Sequence, residues 1–222
     1  MDLRHELKHE INISDMIAIR QRLRAVAKSD PHAINGKYLI ISLYFDNISD
    51  KALREKLDGV NKREKFRIRL YNGDTSVIHL EKKSKLNGLG NKQSASLTSR
   101  QAQLIVNGEI GWMAESTDPL IQELYSKMKT QGLKPRTIVD YTREPFVFPA
   151  GNVRVTLDYN IRTGLSCTDF LKPDCVTVPA SEAVILEVKW DRYLPDIIRD
   201  AVQLDGRNAA AFSKYAACRI YG

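Results

Sequence analysis

The sequence predicts an α+β fold: a mainly antiparallel sheet of seven or eight strands, with helices packed on its apolar face. Three observations predict it. Short alternating segments rich in β-branched and aromatic residues recur along the chain. Two consecutive pairs of these segments are joined by short turns, which makes hairpins and not βαβ units. Charge recurs on one face of six of the strands, opposite an apolar face that needs cover.

Strands are predicted over residues 3–11, 38–46, 63–72, 77–85, 136–148, 153–160 and 183–190. The turns at Gly73-Asp74 and Ala150-Gly151 join 63–72 to 77–85 and 136–148 to 153–160. Helices fill the gaps. Ser14 is the expected cap of 15–27, Ser49 that of 50–57, and Ser99 opens 100–106. Asp118, with Pro119 at the first position, opens a helix to about residue 131. Further helices are expected over 195–203 and 209–220.

The 222 residues suffice for one substantial domain, expected to span 1–222, because no Pro-rich linker, low-complexity tract or run of like charge divides them. Hydrophobic residues make up 43% and charged residues 27%, and no apolar run approaches the ~18 residues of a membrane span. The N-terminus turns charged at once, which lacks the pattern of a secretory signal, so a cytoplasmic location is expected. Cys167, Cys175 and Cys218 are odd in number and lack CxxC spacing; they read as reduced structural thiols and exclude a disulfide framework or zinc site. Thirty-four Lys plus Arg against 27 Asp plus Glu give a net charge of +7, which favours a polyanionic partner.

Successive strand residues point to opposite faces, so i, i+2 and i+4 share one. In the first strand Glu6, Lys8 and Glu10 follow Arg4 on one face, with Leu3, Leu7 and Ile11 opposite. The segment 63–72 puts Lys65, Arg67, Arg69 and Tyr71 on one side and Phe66, Ile68 and Leu70 on the other. In 77–85 the charged side carries His79, Glu81, Lys83 and Lys85. Tyr141 aligns with Arg143; Arg154 aligns with Thr156 and Asp158; Glu187 aligns with Lys189 against Ile185, Leu186 and Val188.

Any one of these strands also describes a sheet with its charged face in water. As a set they differ from that, since an exposed face mixes in Thr, Ser and Gln, and the helices need the apolar face. The charges are therefore expected inside. Such an interior is costly without compensation. A polyanion together with a divalent cation would compensate: carboxylates suit Mg²⁺ or Mn²⁺, and Lys and Arg suit phosphate oxygens. The unit Glu-x-Lys, which sets a carboxylate beside an ammonium, occurs three times on this face, at Glu6-Leu7-Lys8, Glu81-Lys82-Lys83 and Glu187-Val188-Lys189.

These residues resemble the VTC domain, the polyphosphate polymerase domain of the CYTH-like triphosphate tunnel metalloenzyme superfamily, over nearly the whole chain. The resemblance rests on Arg4-His5-Glu6-Leu7-Lys8, Ser42-Leu43-Tyr44-Phe45-Asp46, Arg63-Glu64-Lys65-Phe66-Arg67-Ile68-Arg69-Leu70-Tyr71 and His79-Leu80-Glu81-Lys82-Lys83. It continues through Tyr141-Thr142-Arg143-Glu144-Pro145-Phe146, Val153-Arg154-Val155-Thr156-Leu157-Asp158, Leu186-Glu187-Val188-Lys189 and Phe212-Ser213-Lys214-Tyr215. It implies an eight-stranded antiparallel β-barrel tunnel with helices packed outside, whose basic walls hold ATP and a growing inorganic polyphosphate or triphosphate.

Carried over by motif, Lys8, Arg67, Arg69, Lys83, Tyr141, Arg143, Arg154, Lys189, Ser213 and Lys214 would be phosphate ligands. Glu187 would be the principal ligand of a divalent metal, Mn²⁺ or Mg²⁺, with Glu6, Glu81 and Asp158 as further carboxylates. Lys85 joins them from its place on the charged face, and Lys92 from a loop that relatives also furnish with basic residues. One departure stands in the first strand: Arg4-x-Glu6-x-Lys8 replaces the superfamily's Glu-x-Glu-x-Lys, which leaves fewer carboxylates for a two-metal hydrolytic site.

The implied activity is metal-dependent transfer of the terminal phosphoryl group of ATP to polyphosphate, which needs positioning and charge neutralisation and no covalent nucleophile. The alternatives are a tripolyphosphatase or nucleoside triphosphatase of the same fold, and a non-catalytic polyphosphate-binding module. Nucleic acid is not expected as a partner, because the basic residues face inward and are not interleaved with exposed aromatics.

Overall fold

The computed structural model describes residues 5–86, 89–172, 175–204, 206 and 211–220. In chain order the elements are β1 (His5–Ile11), α1 (Ile13–Val26), β2 (Lys28–Ser29), β3 (Tyr38–Asp46), α2 (Lys51–Leu57), β4 (Arg63–Tyr71), β5 (Asp74–Leu86) and β6 (Leu89–Leu97). There follow α3 (Ser99–Asn107), α4 (Pro119–Gln131), β7 (Lys134–Phe148), β8 (Val153–Thr163), β9 (Val178–Ser181), β10 (Val184–Trp190), α5 (Asp196–Val202) and α6 (Lys214–Arg219). Residues 3, 4, 209 and 210, included in the expected first strand and last helix, lie outside the described residues. The chain divides into two compact units, each built from separate stretches of sequence.

The first unit comprises Met1–Leu39, Tyr141–Ile161 and Ser181–Phe212. Its strand order is β1–β10–β8–β7, with β2 paired antiparallel to β7 through Ser29 and Phe146. Val153, Val155 and Leu157 of β8 and Leu186 and Val188 of β10 are buried with Met16, Ile19 and Leu23 of α1 and Ile198 and Ala201 of α5. The opposite face carries Arg154, Thr156 and Asp158. Ile185 lies on that polar face, paired with Asp158, and not with Leu186 and Val188 as expected; strand alternation puts it two residues from Glu187. Helix α1 starts two residues before the expected point. Asn12 Oδ1 accepts from the Asp15 amide at 2.8 Å and Asp15 returns the bond to the Asn12 amide at 3.3 Å, a reciprocal box that Ser14 does not provide. Between β7 and β8 the chain turns through Gly151, at φ 72°, where an added Cβ would meet the Tyr193 carbonyl oxygen at 2.4 Å.

The second unit comprises Ile40–Asp140, Arg162–Ala180 and Ser213–Gly222. Its strand order is β7–β3–β4–β5–β6. Leu43 and Phe45, Phe66, Ile68 and Leu70, and Ile78 and Leu80 are buried with Ala102 and Ile105 of α3 and Leu120, Ile121 and Leu124 of α4. The helices thus cover the apolar face, as expected. The β4–β5 turn falls at Asn72-Gly73, one residue earlier than predicted, with Tyr71 opposite Asp74 and φ of 54° and 72° at the two central positions. Asn followed by Gly is the pair that tolerates two left-handed residues.

Strand β6 is the largest departure from expectation. The sequence Leu-Gly-Asn-Lys-Gln-Ser-Ala-Ser-Leu is too polar to read as a strand, yet β6 pairs with β5 from Leu86↔Leu89 to Ile78↔Leu97. Among the β6 side chains described, Ala95 and Leu97 reach the core. The thiols stay unlinked: Cys167 and Cys175 have their Sγ atoms 3.6 Å apart, and burial pushes Cys175 and Cys218 up to about 12. Among the described residues no helix is long and apolar enough to cross a membrane.

Candidate functional site

Each unit gathers charge on the sheet face turned away from its helices. In the first, the antiparallel pairing of β1 with β10 sets two Glu-x-Lys units against each other: Lys8 stands opposite Glu187 and Glu6 opposite Lys189. Lys8 Nζ lies 3.1 Å from Glu187 Oε2 and also bonds Glu6. Lys189 Nζ lies 2.6 Å from Glu187 Oε1 and 3.9 Å from Glu6 Oε2. Glu187, 6% exposed, is therefore held between two ammonium groups. On β8, next in order, Thr156 is opposite Glu187 and Arg154 opposite Lys189, with Arg154 Nη2 3.2 Å from Asp30 Oδ2. Asp158 is fully buried and takes both Nε and Nη2 of Arg143, at 2.6 and 2.7 Å. Arg143 stands 5.5 Å over the ring of the buried Tyr141. Burial opposes the charge on Arg143, and Asp158, Tyr141 and Glu187 outweigh it, holding the guanidinium well above its ordinary value. Among the described residues four cations, Lys8, Arg143, Arg154 and Lys189, meet four carboxylates, Glu6, Asp30, Asp158 and Glu187.

The second unit gathers mainly cations on its face among the described residues. Three strands bring Lys65, Lys83 and Lys92 into one row, since Lys65 is opposite Lys83 and Lys83 opposite Lys92. The next row sets Tyr44, Arg67, Glu81 and Ser94 side by side, and the one after sets Ser42, Arg69, His79 and Ser96. Glu81, 1% exposed, is the carboxylate of these rows. Arg67 Nε reaches it at 2.6 Å, Arg67 Nη2 and Lys92 Nζ at 2.5 Å, and Arg69 Nη1 at 3.8 Å. Burial alone would raise the Glu81 carboxyl; Arg67, Arg69 and Lys92 hold it far below the usual range. Like charges directly opposite across a sheet repel. Among the described residues these rows gather five cations, Lys65, Arg67, Arg69, Lys83 and Lys92, with Glu81.

Tyr44 closes this cluster on its β3 side. Its hydroxyl is 2.8 Å from Arg67 Nη1, Lys65 and Arg67 each stand 5.7 Å from its ring centre, and the ring stacks on Tyr215 at 4.9 Å. Burial pushes the phenol up, and Arg67, Lys65 and Arg69 more than reverse this, bringing it down to about 7. Tyr215 in turn donates to Asp46 Oδ2 at 2.7 Å, and Asp46 accepts from the Ala52 and Leu53 amides at the start of α2.

A family model described as the VTC domain matches residues 3–220. The chain belongs to the VTC domain family. The PH1012 protein of Pyrococcus horikoshii OT3 superposes on this VTC domain with a TM-score of 0.51 at 14% identity, covering 99% of each chain. The PH1819 protein of the same organism gives a TM-score of 0.43 at 16% identity, covering 90% of this chain and 84% of that one. A conserved hypothetical protein from Pyrococcus furiosus gives 0.44 at 11%, covering 90% and 85%. These likenesses are of fold alone. No curated protein sequence matches the chain. The α+β class, with an antiparallel sheet whose main order has eight strands, is that of the triphosphate tunnel fold expected from the residues.

Of the expected site residues, the VTC domain brings Lys8, Glu6, Glu187, Lys189, Arg154, Asp158, Arg143 and Tyr141 onto strands of the first unit. Arg67, Arg69, Glu81, Lys83 and Lys92 share one face of the second. Lys92 lies on β6 and not in a loop, and its ion pair with Glu81 follows from that register. Lys85 is exposed near the end of β5, opposite Arg63. Ser213 spends its hydroxyl as the N-cap of α6, accepting from the Ala216 amide at 3.3 Å, and Lys214 is the first residue of that helix. The expected carboxylates divide: Glu6 and Glu187 share Lys8 and Lys189, whereas Glu81 and Asp158 are held by guanidinium groups.

Among the described residues no group of three or more His, Cys, Asp or Glu could hold a metal. On β1 and β10 the carboxylates nearest each other are Glu6 and Glu187, each paired with Lys8 and Lys189. Tyr44, Ser42 and Lys65 belong to the charged face and were not among the expected ligands. The signal for Ser42 and Tyr44 is the alternation Ser42-Leu43-Tyr44-Phe45-Asp46, polar on one face and apolar on the other, in the segment whose faces the charge pattern does not mark; Lys65 already stood on the charged face of its segment.

Proposed function

We propose that this VTC domain is a polyphosphate polymerase, transferring the terminal phosphoryl group of ATP to a polyphosphate chain, with residues 1–222 acting as one triphosphate tunnel domain. The observation that carries this reading is the gathering of cations on one face of β4, β5 and β6: Lys65, Arg67, Arg69, Lys83 and Lys92 beside Glu81, three of them in one in-register row. Phosphate oxygens are acceptors only, and a row of ammonium and guanidinium donors matches them. Arg67 and Arg69 are positioned before any substrate arrives, by Glu81, Tyr44 and Ser42, so little reorganisation opposes charge neutralisation in the transition state.

Glu187, with Glu6 beside it, would hold a divalent cation, Mg²⁺ or Mn²⁺, against phosphate oxygens. When bound, that ion supplies further neutralisation of phosphate charge. Lys8 and Lys189 orient both carboxylates from the same two positions and are themselves donors for phosphate.

Transfer is favoured over hydrolysis by the state of two of the three carboxylates that could orient water, Glu6, Glu81 and Asp158. A hydrolase needs a base to orient water. Glu81 and Asp158 are clamped by Arg67 and Arg143, and a carboxylate held in a guanidinium fork is a weak base. The purified chain incubated with ATP and Mn²⁺ tests the proposal: it is expected to yield ADP and long-chain polyphosphate. Orthophosphate alone would assign the hydrolase, and tight polyphosphate binding without turnover would assign a binding module.

A further inference from the structure

Thr156 is 2% exposed, and its Oγ1 has no hydrogen-bond partner among the described residues. Two residues along the same face of β8, Arg154 Nε is also buried and unpartnered, although its Nη2 reaches Asp30. Buried polar groups are seldom left in this state. The usual reason for a threonine in a strand, packing of its branched side chain, gives no reason for the hydroxyl here. Glu187, directly opposite Thr156, does not need it, because Lys8 and Lys189 already engage both carboxylate oxygens.

The two orphaned atoms define what would satisfy them. An arginine Nε–H can only donate, and the hydroxyl can donate beside it, so the matching ligand is an acceptor with several oxygens. Lys8 stands in the same row as Thr156 and Lys189 in the same row as Arg154, as further donors to such an acceptor. We propose that Thr156 Oγ1 and Arg154 Nε form a donor pair for one phosphoryl group of the chain, which makes Thr156 a phosphate ligand of the first unit. Because four cations meet four carboxylates around it among the described residues, this subsite selects by hydrogen bonding, unlike the cation-rich face of the second unit. The inference rests on the phosphate-chain reading and deepens it.

Calorimetric titration of inorganic tripolyphosphate into the wild-type chain, Thr156→Val and Thr156→Ser, together with thermal unfolding of each without ligand, tests it. Thr156→Val is expected to raise Kd about tenfold, the loss of one hydrogen bond to a charged group, and to leave the unliganded Tm unchanged or higher, because the hydroxyl it removes has no partner. Thr156→Ser, which keeps the hydroxyl, retains most of the affinity. Wild-type affinity in Thr156→Val overturns this inference and leaves the proposed function standing. A lower Tm in Thr156→Val, with Thr156→Ser rescuing stability and affinity together, marks the hydroxyl as structural and also overturns it. A wild-type chain that does not bind tripolyphosphate overturns the proposed function itself.

Discussion

Tyr44 shows how a dense group of cations acts on a neutral side chain. Arg67, Lys65 and Arg69 overcome the effect of burial and bring its phenol to about 7, against an unfolded value near 10. A proton lost more readily in the folded state makes stability rise with pH between those two values, and the gain disappears as pH falls through 7. Wild type is therefore expected to gain thermal stability relative to Tyr44→Phe between pH 7 and 10, with tyrosinate absorbance growing in near neutrality. Parallel stability curves for the two would remove this account of Tyr44. At Asp158 the effect is one of pairing. Truncation to Ala leaves Arg143 buried without its fork partner and is expected to cost about 3–5 kcal/mol in denaturant unfolding. Single residues were legible where charge marked them. Glu6, Lys8, Glu187 and Lys189 stood out as Glu-x-Lys units; Tyr44 and Thr156 did not, because a phenol or hydroxyl in a strand has the same pattern whether it packs or binds.

At the scale of elements, periodicity located the strands with strong alternation to within a few residues, and missed β6, whose described side chains reach the core at Ala95 and Leu97. The sequence did hold a signal for it, since Asn87-Gly88 is the pair favoured in two-residue hairpins and falls between the paired Leu86 and Leu89. Without β6, Lys92 reads as a loop residue and the three-lysine row does not exist. The start of α1 was similarly misplaced because several capping residues stand close together; only the reciprocal bonds distinguish Asn12 from Ser14. Asn12→Ala is expected to cost about 1 kcal/mol in chemical unfolding, the usual value of an N-cap, and Ser14→Ala much less. The reverse order would restore the predicted boundary.

For the whole molecule, composition announced a polyanion partner through a net charge of +7, but not where the excess lies. Pairing decides that. On β1 and β10 two Glu-x-Lys units run antiparallel and pair with each other, whereas the third, on β5, meets Arg67, Lys65 and Lys92. Strand register, set by contacts between distant parts of the chain, is invisible in any single segment. The central claim, that this cation-rich face holds a chain of phosphoryl groups, is tested most directly by the Kd of inorganic tripolyphosphate for wild type and Lys83→Gln, each at low and high salt. The account predicts an affinity that falls steeply with salt, about tenfold weaker in Lys83→Gln. An affinity indifferent to both salt and Lys83 would contradict it.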